Sequence, residues 1–79
     1  MSSRESFAQT TGAVVRKMRT EVGINITEAS RSLGISQASY SHLEHGEREM
    51  TLYEFLALAR ALGFEPWEAI RKIRQELRA

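Results

Sequence analysis

Asn25-Ile-Thr-Glu-Ala-Ser-Arg-Ser-Leu-Gly-Ile-Ser-Gln-Ala-Ser-Tyr-Ser-His-Leu-Glu-His-Gly46 spells two short amphipathic helices around a tight turn. Asn25 suits the cap of a first helix, with Glu28 three residues on as its reciprocal partner, and Gly34 supplies the backbone freedom that ends it. Ser36 then caps a second helix. Ala29 and Leu33 in the first segment, Ile35 in the turn, and Tyr40 and Leu43 in the second fall at spacings that face one core. The same register leaves Gln37, Ala38, Ser41, His42 and His45 facing outward. Two helices hinged in this way can lay the second in the major groove of DNA.

Upstream, Ala8, Thr11, Val15, Met18 and Val22 recur at three- and four-residue intervals and predict a helix over about residues 5–22, stopped by Gly23. Gly12 is its weak point. Residues 1–5 have no periodic partner and read as a frayed tail, from which Arg4 is either solvated or reaches a phosphate as a mobile arm. Downstream, residues 46–51 form a polar loop, and Thr51 with Glu54 makes a second capping box. Leu52, Phe55, Leu56, Ala59 and Leu62 read as the apolar face of the helix that follows, ended by Gly63. Pro66 suits the first position of a last helix running to Arg78, on which Trp67, Ile70, Ile73 and Leu77 line one side. The result is an all-α, five-helix bundle: one domain over 1–79, with a helix-turn-helix at 26–45 and a terminal helix at 66–78.

Composition narrows the function. A chain of 79 residues buries a modest core, so oligomerisation would help it. There is no cysteine, no aspartate and only two histidines, which removes disulfides and thiolate sites and leaves no metal or cofactor expected. No glycine-rich phosphate loop or nucleophile–base pair is present, so an enzyme is the weakest class. The absence of a long apolar run argues against a membrane segment and for a cytoplasmic protein. A net charge of +1 is too small for binding nucleic acid by bulk charge, so DNA recognition must rest on local geometry.

Val15-Arg-Lys-Met-Arg19, Leu33-Gly-Ile-Ser-Gln37, Leu43-Glu-His-Gly-Glu-Arg48 and Leu58-Ala-Arg-Ala-Leu-Gly-Phe-Glu-Pro66 together resemble the Cro/phage-repressor type of helix-turn-helix, the XRE family, without an inserted residue from about Gly12 to Ile70. Small members of that family are prophage repressors, controllers of restriction-modification operons, and antitoxins or other autorepressors. The resemblance implies a lambda-repressor-like bundle and dimeric, sequence-specific binding to a double-stranded DNA operator, with no small-molecule ligand. It also implies that Arg19 and Glu44 form a structural ion pair between the first helix and the end of the recognition helix. The sequence departs from the family pattern at Ile26, where a phosphate-contacting glutamine is usual, at Ala29-Ser30, where Leu-Ala is usual, and at Tyr40, where a branched aliphatic is usual. Tyr40 is therefore read as a ring wedged in the core with its hydroxyl at the edge.

Roles follow from position. Gln37 opens the second motif helix, where its amide can pair with adenine N6 and N7; the alternative is a solvated glutamine. Ser41 and His42 lie one turn on, His42 as a donor to a guanine acceptor or a phosphate, and Ala38 either touches a thymine methyl or is simply a good helix former. Asn25, Ser36, His45 and Arg48 occupy places from which the duplex backbone can be reached, with solvated surface as the alternative for each and capping as the structural role of Ser36. A thirteen-residue terminal helix spans about 20 Å, longer than a lid on so small a bundle needs, so Ile73 and Leu77 are read as projecting into the partner of a homodimer. The expected function is transcriptional control by operator occupancy, with two recognition helices about 34 Å apart on half-sites about 10 base pairs apart, as a repressor acting on its own promoter. The rival reading is an antitoxin or other protein-binding module on the same fold.

Overall fold

In the computed structural model, which describes residues 3–78, the Asn25 and Thr51 capping boxes and the Ser36 cap all form, and each starts a helix where its local sequence demands. Five helices follow one another: α1 (Arg4–Val22), α2 (Ile26–Leu33), α3 (Gln37–Glu44), α4 (Leu52–Leu62) and α5 (Pro66–Arg78). The α2–α3 turn is possible because Gly34 takes the left-handed region at φ 69°, which a side chain would resist. α1 packs against α3 and α5, while α2 packs against α3 and α4. None of the described helices is long and apolar enough to cross a membrane.

Two apolar clusters hold these helices together. Val15, Ala29, Leu33, Tyr40, Leu43, Leu58 and Leu62 join α1 to α4 around the helix-turn-helix. Val14, Met18, Phe55, Ala69 and Ile73 seal α5 onto α1 and α4. Met50 and Phe64 touch both clusters. Gly12 is a contact point and not a weakness: a Cβ there would lie 2.5 Å from the Glu44 carbonyl oxygen and closer still to that of Leu43, so its bare backbone lets the end of α3 settle on α1.

Several expectations are corrected by the packing. The helix begins at Arg4, not after a frayed stretch: Ser3 Oγ accepts from the Ser6 amide at 3.0 Å, and Arg4 is paired with Glu49 through both Nε and Nη2. Met1 and Ser2 lie outside the described residues. The buried stripe of α4 is Phe55, Leu58, Ala59 and Leu62, while Leu52 and Leu56 are 72% and 47% exposed. On α5 the inward stripe is Ala69 and Ile73, with Leu77 partly buried, and Trp67 and Ile70 face out. Ile73 therefore belongs to the monomer core and is not free to project into a partner. Small Ala69 lets α5 approach α1 closely, a requirement that a search for large apolar residues overlooks. Tyr40 is wholly buried, and its hydroxyl is buried as well, not at the edge.

Candidate nucleic-acid interface

The recognition helix is α3, and its two faces differ in chemistry. Tyr40, Leu43 and Glu44 are buried against α1 and α2, whereas Gln37, Ala38, His42 and His45 are exposed and Ser41 is half-buried beside them. Ser36 Oγ accepts the Ser39 amide at 3.0 Å, which leaves the hydroxyl hydrogen free to donate outward. Asn25 stands at the N-terminus of α2 with Oδ1 accepting the Glu28 amide at 2.8 Å, which leaves its side-chain NH2 to donate to another partner.

What fixes α3 is a buried arginine. Arg19 Nε donates to Glu44 Oε2 at 2.6 Å, Nη2 donates to Glu44 Oε1 at 3.1 Å, and Nη1 donates to the Ile24 carbonyl at 2.8 Å. One guanidinium thus ties α1 to the end of α3 and to the strand of chain entering α2. The Glu44 hydrogen bond raises the Arg19 pKa further, so the arginine stays charged. The Tyr40 hydroxyl lies beside this pair without a hydrogen bond of its own; burial first, then the Glu44 carboxylate, pushes its pKa well above the phenolic range.

Three basic groups around the exit of α3 are each met by a carboxylate. His42 Nδ1 is 2.9 Å from Glu47 Oε1, Arg4 pairs with Glu49, and Arg48 donates through Nη1 and Nη2 to Glu54 at 3.1 and 2.6 Å. The Arg48 hydrogen bonds, aided by those of Thr51, hold the Glu54 carboxyl below its usual range against the opposing effect of burial. His45 Nδ1 donates to the Ser41 carbonyl at 2.8 Å, with the Ser41 hydroxyl 3.3 Å away. The fork of Arg48 is thus occupied by a brace between the loop and α4, and a phosphate would have to compete for it. These three pairings escape a reading of the sequence, because two flexible side chains meeting across a loop, or 45 residues apart in the case of Arg4 and Glu49, leave no local pattern. Among the described residues no group of three or more His, Cys, Asp or Glu is placed to hold a metal ion.

The arrangement is a polar, exposed α3 face seated on a rigid, internally ion-paired base. A family model described as helix-turn-helix matches residues 15–67. Comparison with curated protein sequences gives no match. The clp gene regulator ClgR from Corynebacterium glutamicum has a similar fold, with a TM-score of 0.82 at 21% identity over 89% of this chain and 91% of that one. The restriction-modification controller protein C.AhdI from Aeromonas hydrophila is similar at 29% identity over 78% of this chain and 94% of its own, with a TM-score of 0.73. A variant of the controller protein C.Esp1396I shares the fold at a TM-score of 0.80, with 15% identity over 90% of this chain and 92% of that one. With its motif, its bundle and more than half of its length matched, the chain belongs to the XRE-type helix-turn-helix family of DNA-binding transcriptional regulators.

Proposed function

We propose that the protein is a homodimeric repressor that occupies a pseudo-palindromic operator, including one in its own promoter. The observation that carries the DNA part is the exposed polar face of α3 on an immobilised helix. Gln37 and Ser41 offer hydrogen-bonding groups to base edges, Ala38 meets a thymine methyl, and His42 addresses a base through its free ring nitrogen. Ser36 and Asn25 border that face and donate to phosphates, with Arg48 joining them only where a phosphate displaces Glu54; His45 stands beside them with its Nδ1 already committed to the Ser41 carbonyl. Gene control by the similar ClgR and C.AhdI supports a regulator of this size and shape acting on a promoter.

The dimer reading rests on a different surface. Leu52, Tyr53 and Leu56 on α4, and Trp67 and Ile70 on α5, are between 47% and 74% exposed, an unusual load of large apolar side chains for so small a surface. They lie on helices other than α3, so a second copy could cover them and leave both recognition helices free for successive major grooves. Trp67 and Tyr53 are of the aromatic kind that usually anchors such a contact. Leu77 lies at the far end of α5, and Ile73 is withdrawn into the core.

Selection of bound sequences from a random duplex pool tests the proposal. It should return two related half-sites with centres about 10 base pairs apart, and binding should weaken with salt at a log-log slope of about −5 to −7. Equal affinity for all duplexes would refute sequence-specific occupancy. A protein partner that displaced the second copy from α4 and α5, with no operator recovered, would favour the antitoxin or protein-binding reading instead.

A further inference from the structure

We propose that Glu47 is a positioning residue that fixes the ring of His42 so that it accepts a hydrogen bond from a base amino group, adenine N6 or cytosine N4, and does not donate to guanine. The inference rests on the reading of α3 as the base-contacting helix. Glu47 lies outside α3 in the loop that follows it, and its carboxylate oxygen is 2.9 Å from His42 Nδ1. An ionised carboxylate can only accept, so the hydrogen of that bond resides on Nδ1. In the neutral ring Nε2 then carries the lone pair, and Nε2 sits at the tip of the ring, away from the backbone, with no hydrogen-bond partner among the described residues. The side chain is 56% accessible, and on α3 it lies one turn beyond the exposed Ala38, so this acceptor stands on the outer face of the helix. In the major groove only adenine and cytosine present amino donors, whereas guanine presents the acceptors N7 and O6.

His45, the C-cap of α3, is arranged in the same way. Its Nδ1 donates to the Ser41 carbonyl, which again leaves Nε2 as the acceptor. In both imidazoles an acceptor on Nδ1 sets the same tautomer of the neutral ring. Glu47 adds negative charge where a DNA backbone would approach, which works against general phosphate attraction. Its exposed pair with His42 has little to offer to stability, since such surface pairs have a median near zero. A role in orienting the ring accounts for both facts.

The test combines 15N NMR of the histidine rings at pH 8 with DNA selection on the same proteins. In the free wild-type chain, His42 should show the Nδ1–H form; Glu47→Ala should return it to the Nε2–H form that free imidazole favours, and Glu47→Gln, whose amide oxygen still accepts, should retain the wild-type form. In DNA binding, the base pair opposite His42 should present adenine or cytosine to it, preferred over guanine by about fivefold, with the preference lost in Glu47→Ala and kept in Glu47→Gln. An Nε2–H or doubly protonated His42 in the wild type, a guanine preference, loss of preference in Glu47→Gln, or a Glu47→Ala protein that keeps the wild-type base preference would each overturn the proposal. Because the NMR measurement needs no DNA, a chain that binds no operator but shows the Nδ1–H form would refute the DNA-reading role of α3 while leaving the Glu47–His42 orientation standing.

Discussion

The helix-turn-helix half of the bundle and the α4–α5 half handle their outer surfaces in opposite ways. α3 shows water a polar face, and its large apolar side chains, Tyr40 and Leu43, are turned inward. α4 and α5 bury a stripe that includes the small Ala59 and Ala69 and leave Leu52, Tyr53, Leu56, Trp67 and Ile70 outside. A polar face on a rigid helix suits a hydrated polyanion whose information lies in hydrogen-bonding edges. An apolar face suits another protein surface. The two halves are joined by the shared contacts of Met50 and Phe64 and by the Arg48–Glu54 brace, so one small domain holds the two surfaces in a fixed relation.

The largest effect should come from breaking the base on which α3 rests. Glu44→Ala strands the buried Arg19 guanidinium and should lower unfolding free energy by roughly 3–5 kcal/mol in urea titration. Replacing both partners by apolar residues should recover much of that loss. A Glu44→Ala protein that unfolds like the wild type would show that α3 is not held by this pair.

The α4–α5 surface should respond in the opposite manner, with assembly sensitive and folding indifferent. Trp67→Ala or Leu56→Ala should weaken dimerisation in sedimentation equilibrium by at least about tenfold, near 1.4–2 kcal/mol, while the unfolding of the monomer shifts by no more than about 0.5 kcal/mol. Unchanged self-association would remove this face from the dimer.

How far the sequence could be read follows from the range of the interactions. Caps and turns act over three or four residues, so Asn25 with Glu28, Thr51 with Glu54, Ser36 and Gly34 were all legible, and with them the five helices and their order. The Arg19–Glu44 pair spans 25 residues and was accessible only through family resemblance. Which apolar residues of α4 and α5 turn inward depends on how closely helices approach, and spacing alone does not show where a small residue at the contact outweighs a large one nearby. Leu58 and Ala69 are wholly buried, whereas Leu52, Leu56, Trp67 and Ile70, the larger residues that spacing puts on the apolar faces, are exposed. The capping role of Glu54 is local and legible, but nothing local tells which cation Glu47, Glu49 and Glu54 each find.

The junction between the halves should be acid-sensitive. Glu54 has a folded-state pKa below its unfolded value, so its contribution is present above the ordinary carboxylate range and is lost as pH falls through the lowered value. Between about pH 5 and pH 3 the melting temperature of the wild type should therefore fall more steeply than that of Glu54→Gln, which starts lower but has no charge to lose there. Parallel curves would show that the Arg48 brace does not support the fold. The smallest effect is expected at Tyr40. Its buried hydroxyl has no hydrogen-bond partner, so Tyr40→Phe should be neutral or stabilising by about 1 kcal/mol in the same urea titration, and a clear loss of stability would reveal a hydrogen bond to Glu44 or Arg19 that matters.

The central claim is that the outer face of α3 reads base sequence, and Gln37 at its start is the most direct probe. Wild-type protein and Gln37→Ala should be titrated against a selected operator and against the same duplex with one base pair changed in each half-site. The wild type should discriminate between the two by about 1–3 kcal/mol per half-site and the variant should not. Equal weakening of Gln37→Ala on both duplexes, with wild-type discrimination retained, would contradict the account.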